Sequence, residues 1–260
     1  MQIITLTTDL GTKDHFVASM KGDIVSKCPT ANIIDISHNI ESFNISAAAF
    51  VLKNAFPHYP ENTCHLVVVN AHHKRGSNIL ITHHVNQYFV CPDNGLLPLM
   101  FDDFPDEVYE VDPSSQNGKV RDSVRAEISL LGAKLVNGKK PAELGMPVKK
   151  ITEYRFPQPD QRLNVLQGSV LHIDSFQNIY VNITREKFGE ICQDRPFKVM
   201  FHRGSRDSLS QISSAYYDCP EGDPVCTFNS NGYLVIALNK GKAGSLLGID
   251  IDSPVLIEFD

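Results

Sequence analysis

Two carboxylates near the start of the chain could do chemistry, because both lie on a loop between an apolar run and a helical pattern. The sequence predicts a strand over Ile3–Thr7, a loop with Asp9 and Asp14, and a helix over His15–Lys27. Asp9 then leaves the carboxyl end of the strand, where α/β proteins bind ligands, and Asp14 can cap the helix. A carboxylate accepts hydrogen bonds from both hydroxyls of a vicinal diol such as ribose but repels phosphate. The loop lacks the glycines of a phosphate cradle, so it predicts a diol-binding acid or, alternatively, a capped helix with a solvated acid.

A second polar loop follows the apolar run Cys64–Val69 and contains two adjacent histidines, His72 and His73. Adjacent histidines rarely bind one metal ion, and no third ligand lies nearby in the sequence. We therefore expect solvated loop residues here and no metal site.

Two further polar segments lie in the second half of the chain. Asp174 and Asn178 flank a tight turn between two strand-like runs, and Asn229–Gly232 precede another run that ends at Asn239. Asn, Asp and Gly are common turn residues, so each segment alone predicts a polar hairpin. The motifs G-x-S-x-G, H-E-x-x-H, G-x-G-x-x-G and the Walker loop do not occur, which excludes several common enzyme classes.

The elements that must position these residues change in type near residues 155–165. Before this boundary, apolar runs alternate with helical patterns, which predicts an α/β layered domain over residues 1–158. After it, six short strand-like runs predict a small all-β barrel over residues 165–260. The predicted elements of the first domain after the first helix are strands Ile33–Ile36, Cys64–Val69, Ile79–Ile81 and Gln87–Val90 and helices Ile45–Ala55 and Arg125–Val136. The predicted strands of the second are Gly168–Ile173, Ile179–Ile183, Lys198–Phe201, Pro224–Phe228, Tyr233–Ala237 and Pro254–Phe259.

Composition and charge favour a small-molecule ligand. The 260 residues are 42% hydrophobic, which is enough for a buried core, and the formal net charge is −6 without a long basic run. We therefore expect no nucleic-acid partner. The chain starts with a strand and no apolar window approaches the length of a membrane span, so we expect no membrane partner and a cytoplasmic location. The six cysteines lack C-x-x-C spacing, which predicts reduced, mostly buried thiols.

Five motifs follow one another along nearly the whole chain. They are T-D-L-G-T-K-D at Thr8–Asp14, D-I-S-H-N-I at Asp35–Ile40, C-P-D-N-G-L-L at Cys91–Leu97, H-I-D-S-F-Q-N-I-Y-V-N-I at His172–Ile183 and N-S-N-G-Y-L-V-I-A-L-N at Asn229–Asn239. Together they resemble the family of S-adenosylmethionine hydroxide adenosyltransferases, the relatives of fluorinases and chlorinases. The ordered set is far more specific than any one motif.

The resemblance implies a reaction and an assembly. Water or hydroxide attacks the ribose C5′ carbon of S-adenosylmethionine, which releases methionine and leaves adenosine. The nucleoside is the substrate and no cofactor is implied. The implied fold is an N-terminal α/β domain and a C-terminal β-barrel. The implied assembly is a homotrimer with sites between the first domain of one subunit and the second domain of its neighbour.

The resemblance also implies binding roles. Asp9 would bind the ribose hydroxyls, and Asp14, His15 and Phe16 would line the methionine end. The contacts implied for the second domain are Asp174 with the methionine ammonium, Asn178 with adenine, Ser230, Asn231 and Asn239 with adenine and the carboxylate, and Tyr216 through ring stacking.

The sequence departs from the family at the residues that orient and activate water. Hydroxide-using relatives carry D-P-G-V-G-x-x-R-R after the third strand and F-H-G-R-D later, whereas this chain has Asn70 for the acid, Ser77 for the arginine and Lys119 for the histidine. Asn70 cannot act as a base, and a lysine is normally protonated at neutral pH. Arg75 could replace the missing arginine, and one of the two adjacent histidines could provide a base.

Three functions follow from these residues. The first is an S-adenosylmethionine hydrolase in which Asn70, Arg75 and Lys119 have altered catalytic roles. The second is a binding protein that keeps the nucleoside pocket and has lost the chemistry. The third is a halogenase, since a cationic Lys119 attracts halide, although Val120 stands where a small or hydroxyl residue usually contacts the anion.

Overall fold

The chain folds into two compact units, Met1–Arg155 and Phe156–Asp260. The structure is a computed structural model and describes residues 2–71, 78–101, 105, 107–112, 124–201 and 208–260. Within these residues, no helix combines the length and apolar content needed to cross a lipid bilayer.

The first unit is a mixed α/β domain around a seven-stranded sheet with the order β2-β1-β3-β5-β4-β6-β7. Its strands are β1 (Ile3–Thr8), β2 (Asn32–Ser37), β3 (Cys64–Val68), β4 (Ile79–His84), β5 (Gln87–Pro92), β6 (Val108–Val111) and β7 (Met146–Val148). Its helices are α1 (Phe16–Lys27), α2 (Ile45–Ala55), α3 (Leu96–Met100) and α4 (Val124–Val136). The strands β2, β1, β3 and β5 run parallel, while β4, β6 and β7 pair antiparallel. The carboxyl ends of four neighbouring strands therefore lie along one edge, which we call the carboxyl edge.

The strands β1 and β3 lie inside this sheet, next to each other, and all of their residues are buried. Strands covered on both faces are typically near-continuous apolar runs. On one face, Leu6 packs in a core with Met20 of α1 and Ile128 of α4. On the other, the Thr5 hydroxyl lies 2.7 Å from Nδ1 of the buried His65. These layers fix where β1 ends and thus where Asp9 lies.

The second unit contains a nearly closed, barrel-like sheet with the order β12-β11-β15-β9-β10-β14-β13, to which β8 adds by pairing with β9. Its strands are β8 (Asp160–Arg162), β9 (Val165–Ile173), β10 (Ile179–Thr184), β11 (Phe197–Met200), β12 (Ser208–Leu209), β13 (Pro224–Phe228), β14 (Tyr233–Leu238) and β15 (Pro254–Phe259). The backbone N–H of Ser213, after β12, donates to the carbonyl of Cys226 in β13 at 2.7 Å. This bond brings the two ends of the strand order together.

The second unit is not all-β as predicted, because it also contains the helices α5 (Arg185–Cys192) and α6 (Ala243–Leu247). Thr184 caps α5 by accepting the backbone N–H of Lys187 at 3.2 Å, and Phe188 and Ile191 bury its apolar side. A helix as short as α5 gives only a weak periodic signal between the strand-like runs that flank it, so the sequence prediction missed it.

Most predicted elements are confirmed, several with small changes at their ends. The helix Ile45–Ala55 and the strands Pro224–Phe228 and Pro254–Phe259 have the predicted bounds. The prediction that Asp14 caps α1 is wrong: the N-cap is His15, whose side chain makes no capping hydrogen bond.

The cysteine prediction is confirmed. All six cysteines are free thiols, and five of them are buried. The thiol of Cys91, within the C-P-D-N-G-L-L motif, has its pKa raised to about 12 by burial and by the charge of Asp93. It therefore remains protonated at neutral pH and is not a nucleophile.

Candidate functional site

Asp9 follows β1 and joins two other loops of the carboxyl edge. Its Oδ2 accepts the backbone N–H of Phe43 at 2.9 Å and that of Asn70 at 3.0 Å. Phe43 lies in the loop after β2, and Asn70 lies just beyond β3. Among the described residues, no donor bonds to Oδ1. One carboxylate oxygen is therefore held by backbone amides, while the other is open to a ligand on the half-exposed side chain.

The strand end that carries Asp9 is braced by His38 from the D-I-S-H-N-I motif. Thr8 Oγ1 lies 2.9 Å from Nδ1 of this buried histidine, and the His38 carbonyl accepts the backbone N–H of Gly11 at 2.8 Å. His38 Nε2 lies 3.0 Å from Oδ1 of Asp35. Hydrogen bonds to His38 thus hold the backbone segment that contains Asp9 on both sides of this residue.

Asp35 in turn is paired with Lys21, whose Nζ donates to Asp35 Oδ2 at 2.6 Å. Partial burial opposes ionisation of Asp35, but hydrogen bonds and charge from Lys21 and His38 outweigh it and lower the pKa of the carboxyl. A network of Lys21, Asp35, His38 and Thr8 therefore stiffens the β1–β2 end of the carboxyl edge.

Asn70 is positioned with a left-handed backbone, at φ 50°. Asparagine tolerates this conformation better than most residues, because its short polar side chain bonds locally. The preceding residue is also tied to the edge, since the Asn94 amide donates to the carbonyl of Val69 at 3.0 Å. The predicted catalytic position thus lies beside Asp9 and carries an amide, which can orient water but cannot remove its proton.

Asp14, His15 and Phe16 form the exposed end of the loop after Asp9. The rings of His15 and Phe16 lie 4.4 Å apart between centroids. The structure adds Arg125 of α4, whose Cζ lies 5.0 Å from the centroid of the Phe16 ring. Sequence analysis missed this arginine, because no local spacing relates it to the first loop.

The other residues predicted for catalysis, Arg75 and Lys119, lie outside the described residues, as do His72, His73 and Val120. Their roles remain predictions.

In the second unit, Asp174 organises the turn before β10. Its Oδ1 accepts the backbone N–H groups of Phe176 and Asn178, both at 2.9 Å. Its Oδ2 accepts the Asn178 side-chain amide at 3.0 Å and the Tyr180 hydroxyl at 3.2 Å. The expected turn is confirmed. All four partners are donors, so both carboxylate oxygens of Asp174 are held in fixed positions in the turn.

The Asp174 carboxylate raises the pKa values of two nearby tyrosines, Tyr180 and Tyr216. Burial and the charges of Asp174 and Tyr216 raise the pKa of Tyr180 well above its usual value. Burial and Asp174 likewise raise the pKa of Tyr216, which is 40% exposed. The structure thus joins Asp174 and Asn178 by hydrogen bonds and places Tyr216 within electrostatic range of Asp174. It adds Tyr180 of β10, whose hydroxyl donates to Asp174.

The remaining predicted residues lie around β14. Asn229 Oδ1 accepts the backbone N–H groups of Asn231 and Tyr233 at 3.1 and 2.8 Å, which leaves Ser230 and Asn231 exposed at the turn. Asn239 is buried, and its amide donates to the carbonyl of Cys219 at 2.7 Å. In this structure that bond stabilises the segment after Tyr216, and it uses only one N–H of the Asn239 amide.

The described residues hold no group of three or more His, Cys, Asp or Glu side chains arranged to bind a metal ion. What they offer is a carboxylate with one open oxygen at the carboxyl edge and a second, tyrosine-flanked carboxylate in the other unit. Both arrangements suit a small ligand with hydroxyl and cationic groups.

Comparison with known proteins gives relatives along nearly the full chain. An "(R)-S-adenosyl-L-methionine hydrolase" of Methanocaldococcus jannaschii is 28% identical, with 96% of this chain and 93% of the relative covered. A "Fluorinase" of an Actinoplanes species is 26% identical, with 91% of each chain covered. A crystal structure of an uncharacterized conserved protein from Thermotoga maritima superposes with a TM-score of 0.85 at 27% identity, covering 98% of this chain and 99% of the other.

Two family models match the two halves of the chain. The model described as the SAM hydroxide adenosyltransferase N-terminal domain matches residues 4–145, and the corresponding C-terminal domain model matches residues 168–256. With Asp9 on the carboxyl edge and both models matched in order, the chain belongs to the SAM hydroxide adenosyltransferase family.

Proposed function

We propose that this protein hydrolyses S-adenosylmethionine to adenosine and L-methionine. The observation that carries the proposal is the Asp9 carboxylate, with Oδ2 fixed by two backbone amides and Oδ1 open at the carboxyl edge. The open Oδ1 has two lone pairs and can accept hydrogen bonds from ribose hydroxyls while the two bonds to Oδ2 stay in place. Relatives named (R)-S-adenosyl-L-methionine hydrolase, 26–28% identical over at least 95% of this chain, support the substrate.

In the proposed reaction, a water oxygen forms a bond to C5′ while the C5′–S bond breaks. The electron pair of that bond goes to sulfur, which becomes the neutral thioether of methionine, and the water proton leaves to solvent. The sulfonium is already a good leaving group. The protein therefore mainly has to hold the attacking water in line with the C5′–S bond and to remove the other water molecules around it. No cofactor takes part.

The role of Asn70 follows from its place beside Asp9. Its amide orients the attacking water by hydrogen bonding, and the missing base lowers the rate, since general-base help contributes about 10²- to 10⁴-fold. We therefore propose slow turnover. The residues Arg75 and Lys119 supply further contacts to the water in this proposal.

A binding protein without turnover is the second candidate, and it is favoured by one observation. The residue held against Asp9 in the position of the family's acid is an asparagine, which cannot accept the proton of water. The binding residues serve this function equally well.

We further propose a homotrimer in the cytoplasm, in which the second unit's Asp174, Asn178 and Tyr216 act on a ligand bound to another copy. The six free thiols support a reducing compartment. Light scattering tests the trimer. Mixing Asp9→Ala with Asp174→Ala protein tests the shared site, because mixed trimers regain partial activity only if the two residues act from different copies.

The deciding experiment is overnight incubation with S-adenosylmethionine at neutral pH, followed by chromatography for adenosine and methionine. Asp9→Ala protein and a protein-free sample are the controls, and a parallel sample with added chloride tests for a halogenated nucleoside. Equal amounts of adenosine and methionine above both controls support the hydrolase. Binding by calorimetry without product supports the second candidate, and absence of both overturns the proposal.

A further inference from the structure

The guanidinium of Arg125 in the first unit has no ionic or hydrogen-bonding partner among the described residues. Its guanidinium lies over the Phe16 ring, at 5.0 Å from Cζ to the ring centroid. Its Nε is buried and has no hydrogen-bond partner, and none of the described residues offers an acceptor to the rest of the group. A buried donor without a partner is costly and usually indicates a missing ligand or water.

The direction of α4 places Arg125 at the carboxyl edge. The Gln2 amide, just before β1, donates to the carbonyl of Val136 at 3.0 Å and to Asn137 Oδ1 at 3.1 Å, so α4 ends where β1 begins. The helix has 13 residues, or about 20 Å, which is also about the length of a six-residue strand. The first turn of α4 therefore lies at the end of β1 from which the Asp9 loop starts.

The stacking on Phe16 leaves the guanidinium ready to bind an anion. A guanidinium that lies on an aromatic face keeps its N–H groups in its own plane, where they can form two parallel bonds to a carboxylate. The exposed acid Asp14 lies two residues before Phe16 in the sequence. A guanidinium and a carboxylate at one end of a site match the two charges of a free α-amino acid.

The charges of S-adenosylmethionine select the group that Arg125 binds. The sulfonium and the ammonium repel a guanidinium, the adenosine is neutral, and only the α-carboxylate attracts it. We propose that Arg125 binds the α-carboxylate of the substrate's methionine portion, in addition to the contacts implied for Ser230, Asn231 and Asn239, and so selects substrates that carry this group. This inference rests on the proposed function and adds a specificity-determining residue to it.

The test compares S-adenosylmethionine with its decarboxylated form, which keeps the sulfonium, the amine and the nucleoside. Wild-type protein is expected to prefer S-adenosylmethionine. Arg125→Met, which keeps much of the apolar stem, should lose about 10- to 100-fold in kcat/KM or affinity for S-adenosylmethionine, the range expected for a charge-assisted hydrogen bond. Its affinity for the decarboxylated compound and for adenosine should not fall. Arg125→Lys should retain part of the preference, because a point charge replaces the planar fork.

The matched control is Lys134→Met, which removes a positive charge from the opposite end of the same helix. It should leave the preference unchanged. An equal loss for both compounds in Arg125→Met, or no loss, overturns the inference and makes Arg125 a packing partner of Phe16. If the melting curve shows that Arg125→Met does not fold, Arg125→Lys and Arg125→Gln replace it. The deciding quantity is then their affinity for S-adenosylmethionine relative to that for the decarboxylated form. Failure of the wild-type protein to bind either S-adenosylmethionine or adenosine overturns the proposed function and this inference together.

Discussion

The Asn70 backbone N–H donates to Oδ2 of Asp9 at 3.0 Å, so the predicted diol-binding acid holds the backbone of the residue at the predicted catalytic position. Asn70 has a left-handed backbone, and this hydrogen bond helps to maintain it. Substrate bound at the open oxygen of Asp9 would therefore lie close to the backbone of Asn70, whose side-chain amide is proposed to orient water. One carboxylate thus joins the proposed binding position to the proposed catalytic position.

The replacement Asp9→Ala should abolish adenosine binding. It should also lower the free energy of unfolding by about 1–2 kcal/mol, because two backbone N–H groups lose their acceptor. Asp9→Asn keeps an oxygen acceptor and should recover most of the stability while binding the diol more weakly. Calorimetry with adenosine and urea unfolding measure the two effects. Unchanged adenosine affinity in Asp9→Ala would remove Asp9 from the binding site.

Asn70→Asp should accelerate hydrolysis, because it supplies the base that the family carries at this position. Asp tolerates the left-handed backbone nearly as well as Asn, so the loop should keep its shape. We expect an increase in kcat of about 10²-fold, the lower end of general-base help. Asn70→Gly is the control, since glycine accepts the same φ without a side chain. A rate for Asn70→Asp no higher than for Asn70→Gly would place the base elsewhere.

The sequence predicts the carboxyl edge well because β1 and β3 are buried apolar runs that end in polar residues. Asp9 could be placed from this pattern alone. Arg125 could not, because its contact with Phe16 depends on the packing of α4 beside α1, which no local pattern encodes. The cap prediction for Asp14 is wrong because α1 begins at Phe16, one residue after the predicted start at His15.

Tyr180→Phe should weaken the binding of S-adenosylmethionine more than that of adenosine. The change removes one of the four donors that hold Asp174, the residue proposed to pair with the ammonium. We expect a loss of about 3- to 10-fold, corresponding to about one neutral hydrogen bond. Calorimetry with both ligands measures it, with Tyr217→Phe as the control at a neighbouring ring that is 82% exposed. An equal effect on adenosine would mean that Tyr180 supports the turn as a whole.

The buried His65 should make stability depend on pH. Its Nδ1 lies 2.7 Å from Thr5 Oγ1 and its Nε2 2.7 Å from Gln87 Oε1, while the Gln87 amide donates to the carbonyl of Tyr59 at 2.9 Å. This orientation of Gln87 assigns the proton of neutral His65 to Nε2. Burial, partly opposed by the hydrogen bond to Gln87, lowers the pKa of His65 to about 4.

Unfolding restores the ordinary pKa of about 6.5, so the unfolded chain binds the proton first. Stability from this residue is therefore fully present above about pH 6.5 and falls as the pH drops toward 4, by up to about 3 kcal/mol. Urea unfolding at several pH values measures the slope. His65→Gln, which can bond to both Thr5 and Gln87, should flatten it, whereas His58→Gln at an exposed position should not. If His65→Gln keeps the wild-type slope, the neutral buried imidazole is not its source.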